Sequence, residues 1–205
     1  MCVLGGGKVT MIYLKKELEK SIDITDEEWD FVRSKFKPKS AKKGEIVHYA
    51  GDVFSEVWYI KSGLARSYFI DNNGKDFTWQ LYFNDESMSK INLFMDDSVS
   101  YYEQSGSLVS FEILEDAQFE VISIADMDEL FNLNMKWQHF GRMMIHDTWY
   151  ASTYKRVLSL MGENAEERYT RLLKEYPTIF DKVKSYHIAS YLGIAPQTLS
   201  KLRKP

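Results

Sequence analysis

The spacing of apolar positions changes twice along the 205-residue chain. Residues 11–37 carry a helical pattern, and Thr25 begins a capping box within it. Residues 39–125 instead show short β-rich runs separated by turn residues, which predict strands. From Asp126 onward the three- and four-residue spacing returns, so helices are predicted for the rest of the chain.

The middle region contains six candidate strands. The Asn73-Gly74 step between two aromatic runs is a strong hairpin signal. Strands that recur about every 8–12 residues, with turn residues between them, indicate a sandwich or a barrel. The predicted strands are Glu45–Tyr49, Glu56–Ile60, Leu64–Ile70, Asp76–Phe83, Ser107–Leu114 and Gln118–Ile124.

A long helix is predicted for residues 136–161, which contain no proline. Apolar side chains form two stripes along it, so it is expected to be buried on two sides. One interpretation is a core helix of a single domain. The other, which we prefer, is a helix that packs on its own β domain and on a second copy of the chain. Asp147 interrupts the first stripe, whose candidate dimer seam consists of Trp137, Phe140, Met144, Ala151, Tyr154 and Leu158.

The C-terminal segment Ser185–Lys204 has the pattern of a helix-turn-helix, in which two short helices cross steeply. Ala189 is small where the helices touch, Gly193 suits the turn, and Pro196 is acceptable at the start of the second helix. An ordinary helical hairpin is the alternative interpretation. Five apolar positions are predicted to face inward: Ile188, Leu192, Ile194, Leu199 and Leu202.

The outer face of the second helix carries residues that read base edges or neutralise phosphates. Gln197 opens this helix and can pair with adenine, and Lys201 lies one turn further on, within reach of guanine. Ser200 and Thr198 join this face, although both also suit a neutral surface. Expected phosphate contacts are Lys204, Arg203 and the hydroxyl of Ser185.

Charge is distributed unevenly, although the formal net charge is only −4. Between Asn84 and Asn132 there are twelve acidic residues and a single lysine. Residues 182–205 hold five basic residues and no acidic one. The acidic body would repel nucleic acid, and only the small basic C-terminal end has the charge to bind it.

Several classes of protein are excluded by what the sequence lacks. Cys2 is the only cysteine, so no intrachain disulfide and no cysteine-based zinc or iron–sulfur site can form within one chain. Catalytic motifs are absent, and the β region holds only His48, so neither an enzyme nor a bound cofactor is expected. No apolar run is long enough for a transmembrane helix, and no clear signal peptide is present, so a cytoplasmic protein without a membrane partner is expected.

The order of parts resembles the Crp/Fnr family of bacterial transcription regulators. The run KKGEIVHYAGDVFSEVWYIKSGLAR resembles the family's opening β-roll, with Gly44, Gly51 and Gly63 at its turns. The end after LSKLRKP resembles a shorter, Bacteroidetes-type branch that lacks the winged hairpin. The resemblance implies an α+β fold with an antiparallel, jelly-roll-like β-roll domain over 11–135, a long dimerisation helix over 136–161 and a helix-turn-helix domain without a full wing over 162–205.

Cyclic-nucleotide-binding members of that family hold the ribose with a glutamate and the cyclic phosphate with an arginine. In this sequence Lys90 stands in place of that glutamate and Ser100 in place of that arginine. Because the local charge is also strongly negative, cyclic AMP binding is not expected. An apolar ligand and a plain hydrophobic core remain open for the candidate effector pocket, which consists of Phe83, Met88, Lys90, Leu93, Phe94, Ser100, Met143 and Tyr150.

The sequence therefore favours a homodimeric, sequence-specific DNA-binding transcription regulator with an effector-sensing β-roll. An effector would shift the long helices and so set the spacing of two recognition helices, which must match major grooves about 34 Å apart. Expected partners are double-stranded DNA, a second copy of the chain and an unknown small-molecule effector, and RNA polymerase is a further candidate. The alternative is a cyclic-nucleotide- or other small-molecule-binding regulatory module without strong DNA binding.

Overall fold

The computed structural model describes residues 14–16, 18–84 and 92–204. A β-roll comes first, followed by a helical C-terminal half. The β-roll contains α1 (Asp26–Lys35), β1 (Lys37–Ala41), β2 (Ile46–His48), β3 (Glu56–Ile70), β4 (Asp76–Phe83), β5 (Phe94–Met95), α2 (Ser98–Glu103) and β6 (Ser110–Ser123). The helical half contains α3 (Ile124–Phe131), α4 (Met135–Met144), a π-helical turn (Ile145–Tyr150), α5 (Ala151–Gly162), α6 (Ala165–Glu175), α7 (Ile179–Lys182), α8 (Ser185–Leu192) and α9 (Pro196–Leu202).

The strands form one antiparallel sheet in the order β1-β6-β3-β4, with β2 on β6 and β5 on β3. Strands β3 and β6 are long and pair along most of their length, from Glu56 opposite Ser123 to Tyr68 opposite Ser110. The fold class predicted from the sequence, an α+β chain with an antiparallel β-roll, is therefore confirmed. Its interior is aromatic and fully buried, with Trp58, Phe111 and Phe119 at its centre.

Two pairs of predicted strands are each one continuous strand in the structure. The runs Glu56–Ile60 and Leu64–Ile70 form one strand, because Gly63 makes a bulge at φ +90° and not a reversing turn. A Cβ at Gly63 would lie 2.4 Å from the carbonyl oxygen of Asp116, so the close approach of β6 requires a glycine there. Strand β6 likewise continues through the predicted turn at Glu115-Asp116, since it pairs with β3 on both sides of it.

The capping box at Thr25 is confirmed. The Thr25 hydroxyl accepts a hydrogen bond from the amide of Glu28 at 3.2 Å, and the Glu28 carboxylate accepts one from the Thr25 amide at 3.0 Å. The helix that follows ends at Lys35, earlier than predicted, because β1 (Lys37–Ala41) begins almost at once and pairs with β6. No separate sequence pattern indicates β1, whose side chains are exposed except for Ala41.

The long helix is continuous from Met135 to Gly162 but contains one π-helical turn. A π-helical turn contains one more residue than an α-helical turn, so the side chains after it point in a different direction from those before it. The predicted seam therefore does not follow one continuous face of the helix across Asp147. Trp137 and Phe140 are buried in the core of their own chain, where Met144 also packs. This corrects the prediction that those three residues belong to a dimer seam. The seam residues Tyr154 and Leu158, in the second half of the helix, are exposed.

A third hydrophobic core joins the C-terminal helices to the sheet. Leu64, Leu81 and Phe83 of the sheet are buried together with Ile188 and Leu192 of α8. The C-terminal helical half therefore packs on β3 and β4 of the same chain. Among the helices that the structure describes, none is long and apolar enough to cross a membrane.

Candidate nucleic-acid interface and effector cavity

Helices α8 and α9 form the helix-turn-helix that the sequence predicts. Gly193 ends α8 in the left-handed region at φ +67°, and the Ile194 amide closes the turn on the Ala189 carbonyl at 3.0 Å. Ala189 and Leu199 are each 1% exposed, so both helices pack tightly where they cross. Pro196 occupies the first position of α9, where its missing N–H costs nothing.

The outer face of α9 presents the polar side chains that the sequence predicts. Gln197, Ser200, Lys201 and Lys204 are exposed, whereas Thr198 is half-buried. Leu202 is also half-buried, so it closes the edge of the core and does not lie within it. The predicted base-contacting residues Gln197 and Lys201 and the predicted phosphate-contacting Lys204 are therefore all accessible on the outer face.

Arg203 is oriented by its own chain. Its Nη1 donates to the Ser185 hydroxyl at 3.0 Å, and its guanidinium lies 4.3 Å from the centre of the Phe180 ring. The Ser185 contact joins the end of α9 to the start of α8, and the Phe180 contact joins it to α7. Arg203 and Ser185, both predicted to contact phosphate, are therefore neighbours with a fixed geometry.

Ser190 fixes α8, the first helix of the helix-turn-helix, to strand β4. Its hydroxyl accepts from the Thr78 amide at 2.7 Å and lies 3.0 Å from both the carbonyl oxygen and Oδ1 of Asp76. Asp76 in turn receives two hydrogen bonds, of 2.6 and 2.7 Å, from the buried guanidinium of Arg66. The sequence pattern does not predict this contact, because nothing local marks Ser190 as a partner of a residue 114 positions away.

Arg66 organises a buried ionic cluster beneath that contact. It is 3% exposed, and besides Asp76 it donates from Nε to Glu112 at 2.7 Å. Burial acts to raise the pKa of Asp76, but the hydrogen bond and charge of Arg66 outweigh it and hold that pKa below its usual range. The cluster therefore stays ionised at neutral pH and provides a charged platform for Ser190.

A cavity of about 560 Å³ lies between the β-roll and the long helix. One wall is formed by Trp79 and Tyr82 of β4, and the opposite wall by Trp149, Ser152 and Arg156 of the long helix. The segment from Phe94 to Val109, which includes α2, closes one end. Its size is that of a pocket for a small organic molecule.

The α2 end of this cavity is acidic and already hydrogen-bonded. Asp97 caps α2 by accepting from the Ser100 amide at 3.1 Å, and its other oxygen accepts from the Ser107 hydroxyl at 2.6 Å. Burial raises the pKa of the neighbouring Asp96 to about 6. The Ser100 hydroxyl donates to the Ser105 carbonyl at 2.6 Å, so it stabilises the loop that follows α2.

Comparison with solved structures identifies this architecture. A transcriptional regulator assigned to the Crp/Fnr family, from Eubacterium rectale, superimposes with a TM-score of 0.62 at 17% identity, covering 88% of this chain and 82% of that one. FixK2 from Bradyrhizobium japonicum gives a TM-score of 0.64 at 14% identity, covering 82% of each chain. The chain has the Crp/Fnr fold. The c-di-GMP-responsive global regulator CLP of Xanthomonas campestris also matches, with a TM-score of 0.60 at 12% identity over 84% of this chain and 87% of that one.

Sequence comparison adds nothing to this likeness. No protein-family model matches the chain, and no curated protein is similar to it in sequence. The Crp/Fnr fold is therefore formed here by a sequence with only 12–17% identity to these solved examples.

Within this Crp/Fnr fold, the predicted effector pocket is corrected at several positions. Phe94 and Ser100 line the cavity, but Phe83 packs edge-on against Tyr176 under the reader, with ring centres 5.4 Å apart. Leu93 packs in the core beneath the long helix. Met143 and Tyr150 are exposed and do not line the cavity. Met88 and Lys90 lie outside the described residues.

Proposed function

We propose that this protein is a homodimeric, sequence-specific DNA-binding transcription regulator. The observation that carries the proposal is the exposed polar and basic face of α9, held on a tightly packed helix pair. Because Gln197 opens the helix, it enters the major groove first, and Lys201 follows one turn later on the same face. Lys204, Arg203 and Ser185 are placed to contact phosphates. Such a regulator acts on DNA in the cytoplasm, with RNA polymerase as the protein partner it recruits or blocks.

The second half of the long helix supports the homodimer. Tyr150, Tyr154, Leu158 and Met161 are 62%, 55%, 51% and 81% exposed in the isolated chain, although all lie on one long helix. A row of exposed aromatic and aliphatic side chains marks an interaction surface. Two copies that pair along this row present two recognition helices related by two-fold symmetry, as a palindromic operator requires.

The long helix also supports effector control. Trp149, Ser152 and Arg156 line the 560 Å³ cavity, and Arg156 also donates to the Tyr191 carbonyl of α8 at 2.9 Å. A ligand in the cavity therefore touches the element that positions the reader. Cyclic AMP is not the expected ligand, because the Asp97 carboxylate already accepts the Ser100 amide in the first turn of α2 and would repel a phosphate.

Selection from a randomised DNA library tests the proposal, because it works without a known operator sequence. Wild-type protein should return a two-fold symmetric site. Gln197→Ala should relax the preference at one base pair, at a cost of about 1–3 kcal/mol. Lys204→Ala should instead weaken binding to all sequences alike, and it should reduce the steepness of log affinity against log salt by about one.

Two results would count against this function. If wild-type protein enriches no sequence, the chain is better interpreted as a small-molecule-binding module without strong DNA binding. If wild type, Gln197→Ala and Lys201→Ala all return the same site, α9 is not the reader.

A further inference from the structure

Arg156 is a shielded guanidinium that forms no ion pair with a carboxylate in residues 14–16, 18–84 and 92–204. Its Nη2 donates to the carbonyl oxygens of Thr78 at 3.0 Å and Tyr191 at 2.9 Å, and its guanidinium lies 3.9 Å from the Tyr191 ring centre. Its Nε is buried and finds no hydrogen-bond partner among the residues that the structure describes. A charge shielded from water in this way normally pairs with an opposite charge.

Another arginine of the chain, Arg66, shows what such a pairing looks like here. It is enclosed by the carboxylates of Asp76 and Glu112, both within 2.7 Å. In the described part of the chain no carboxylate forms an ion pair with Arg156, and burial lowers its pKa. The guanidinium of Arg66 is therefore neutralised by carboxylates, whereas that of Arg156 keeps an N–H group without an acceptor among the described residues.

Arg156 lines a second cleft, of about 400 Å³, between α5, α6 and α8. Lys155, Arg168 and Arg171 also line it, while Glu163 and Glu175 supply the acidic charges. Four basic and two acidic side chains leave this cleft with an excess of positive charge, in contrast to the acidic end of the effector cavity. The cleft lies where the long helix meets the reader.

Two of these arginines are already positioned by the fold. Arg171 donates to Oε1 of Glu163 at 2.7 Å and also contacts the Ser159 hydroxyl. Arg168 donates from Nε to the Leu192 carbonyl at 2.9 Å and also contacts the Glu163 carbonyl. Because these side chains are held in place, an anion entering the cleft meets a preformed set of donors and does not have to order flexible ones.

We propose that this cleft binds a small phosphate-bearing anion, with Arg156 as its central ligand. Guanidinium groups match phosphate oxygens in geometry and charge, and a diphosphate group supplies the negative charge that the cleft lacks. The volume also admits a nucleoside attached to that diphosphate. The cleft adjoins the effector cavity, since Arg156 lines both. Because its binding test uses no DNA, the site stands or falls independently of the proposed function.

Isothermal titration calorimetry of the full chain with pyrophosphate, ADP and adenosine tests this site. Pyrophosphate and ADP should each bind saturably at one site per chain, and adenosine should not bind. Equal affinities would identify the diphosphate alone as the ligand, and a clear preference for ADP would show that the nucleoside is also held. Absence of saturable binding by both phosphate compounds would overturn the proposal.

Variants on the long helix locate the binding. Arg156→Met should weaken binding of the diphosphate about tenfold or more, whereas Arg142→Met, an exposed arginine of the same long helix, should leave it unchanged. If Arg156→Met fails to fold, as circular dichroism would show, Lys155→Met provides the test from an exposed position and should weaken binding severalfold. Unchanged binding by a folded Arg156→Met, or loss of binding in a Lys201→Ala, Lys204→Ala double variant, would place the anion elsewhere and refute the site.

Discussion

The hydroxyl of Ser190, in the first helix of the helix-turn-helix, lies 3.0 Å from Oδ1 of Asp76 in strand β4. The same hydroxyl accepts a hydrogen bond from the Thr78 amide at 2.7 Å. One small side chain thus satisfies polar groups of the β-roll that are buried where the two halves meet. The reader is fixed to the sheet by a specific polar contact as well as by the apolar packing around Ile188 and Leu192.

Ser190→Ala should lower the free energy of unfolding by about 1–3 kcal/mol, because it leaves the Thr78 amide without its acceptor and removes one hydrogen bond from Asp76. Urea denaturation measures the change. Ser200→Ala, an exposed serine of α9, is the matched control and should stay within about 0.5 kcal/mol of wild type. Equal effects of the two substitutions would mean that the Ser190 contact contributes nothing specific.

Asp96→Asn should stabilise the protein at neutral pH. Burial raises the folded-state pKa of Asp96 to about 6, above its unfolded value, so the ionised carboxylate costs stability above pH 6 and this cost disappears as the pH falls toward 4. The asparagine keeps an oxygen for the Ser98 amide and removes the charge.

Urea unfolding of both proteins from pH 4 to pH 8 measures that effect. The variant should exceed wild type by about 1–3 kcal/mol at pH 7, and the two should converge near pH 4. A constant difference across this range would show that Asp96 does not titrate with a raised pKa.

Tyr154→Glu should weaken self-association, because it places a charge in the exposed apolar row of the long helix. Sedimentation at micromolar concentration should give about twice the 24.0 kDa chain mass for wild type and a shift toward the single-chain mass for the variant. Tyr49→Glu, at a similarly exposed tyrosine of the β-roll, should leave the dimer intact. A monomeric wild type would contradict the dimer outright.

Cyclic AMP should not bind with useful affinity, and calorimetry at millimolar nucleotide checks this directly. Ser100→Arg should not create a cyclic AMP site, since Ser100 is 2% exposed and its hydroxyl bonds both the Phe54 amide and the Ser105 carbonyl. The larger side chain should instead lower the melting temperature, because it overfills a packed position. Micromolar binding of cyclic AMP by wild type would show that the Asp97 carboxylate does not exclude a phosphate.

Much of the fold could be predicted because its signals are local. The helix-turn-helix depends on Ala189, Gly193 and Pro196, whose roles in turn and crossing are set by neighbours within one short segment. The Asn73-Gly74 hairpin and the capping box at Thr25 are equally local, and both have the structure that the sequence predicts. Periodicity also predicts the long helix, since one proline-free apolar pattern runs through it.

Other features depend on contacts between distant parts of the chain. The bulge at Gly63 has the sequence pattern of a turn, and only the close approach of Asp116 shows that the strand continues. Phe83 is predicted in the effector pocket, but packing against Tyr176 places it under the reader. The π-helical turn divides the expected dimer seam, because it rotates one half of the helix relative to the other.

The sequence by itself determined most of the helices and strands, their order and the polar face of α9, because helix caps, turns and side-chain periodicity act over a few residues. Only the tertiary structure decided that Ser190 bonds Asp76, and that Arg156 is shielded without an ion pair to any carboxylate of the described residues. These properties arise where buried polar groups must find partners across 70 or more residues of chain, as between Arg156 and Thr78, or within a cavity that forms only after folding. A linear pattern does not specify which partner is found.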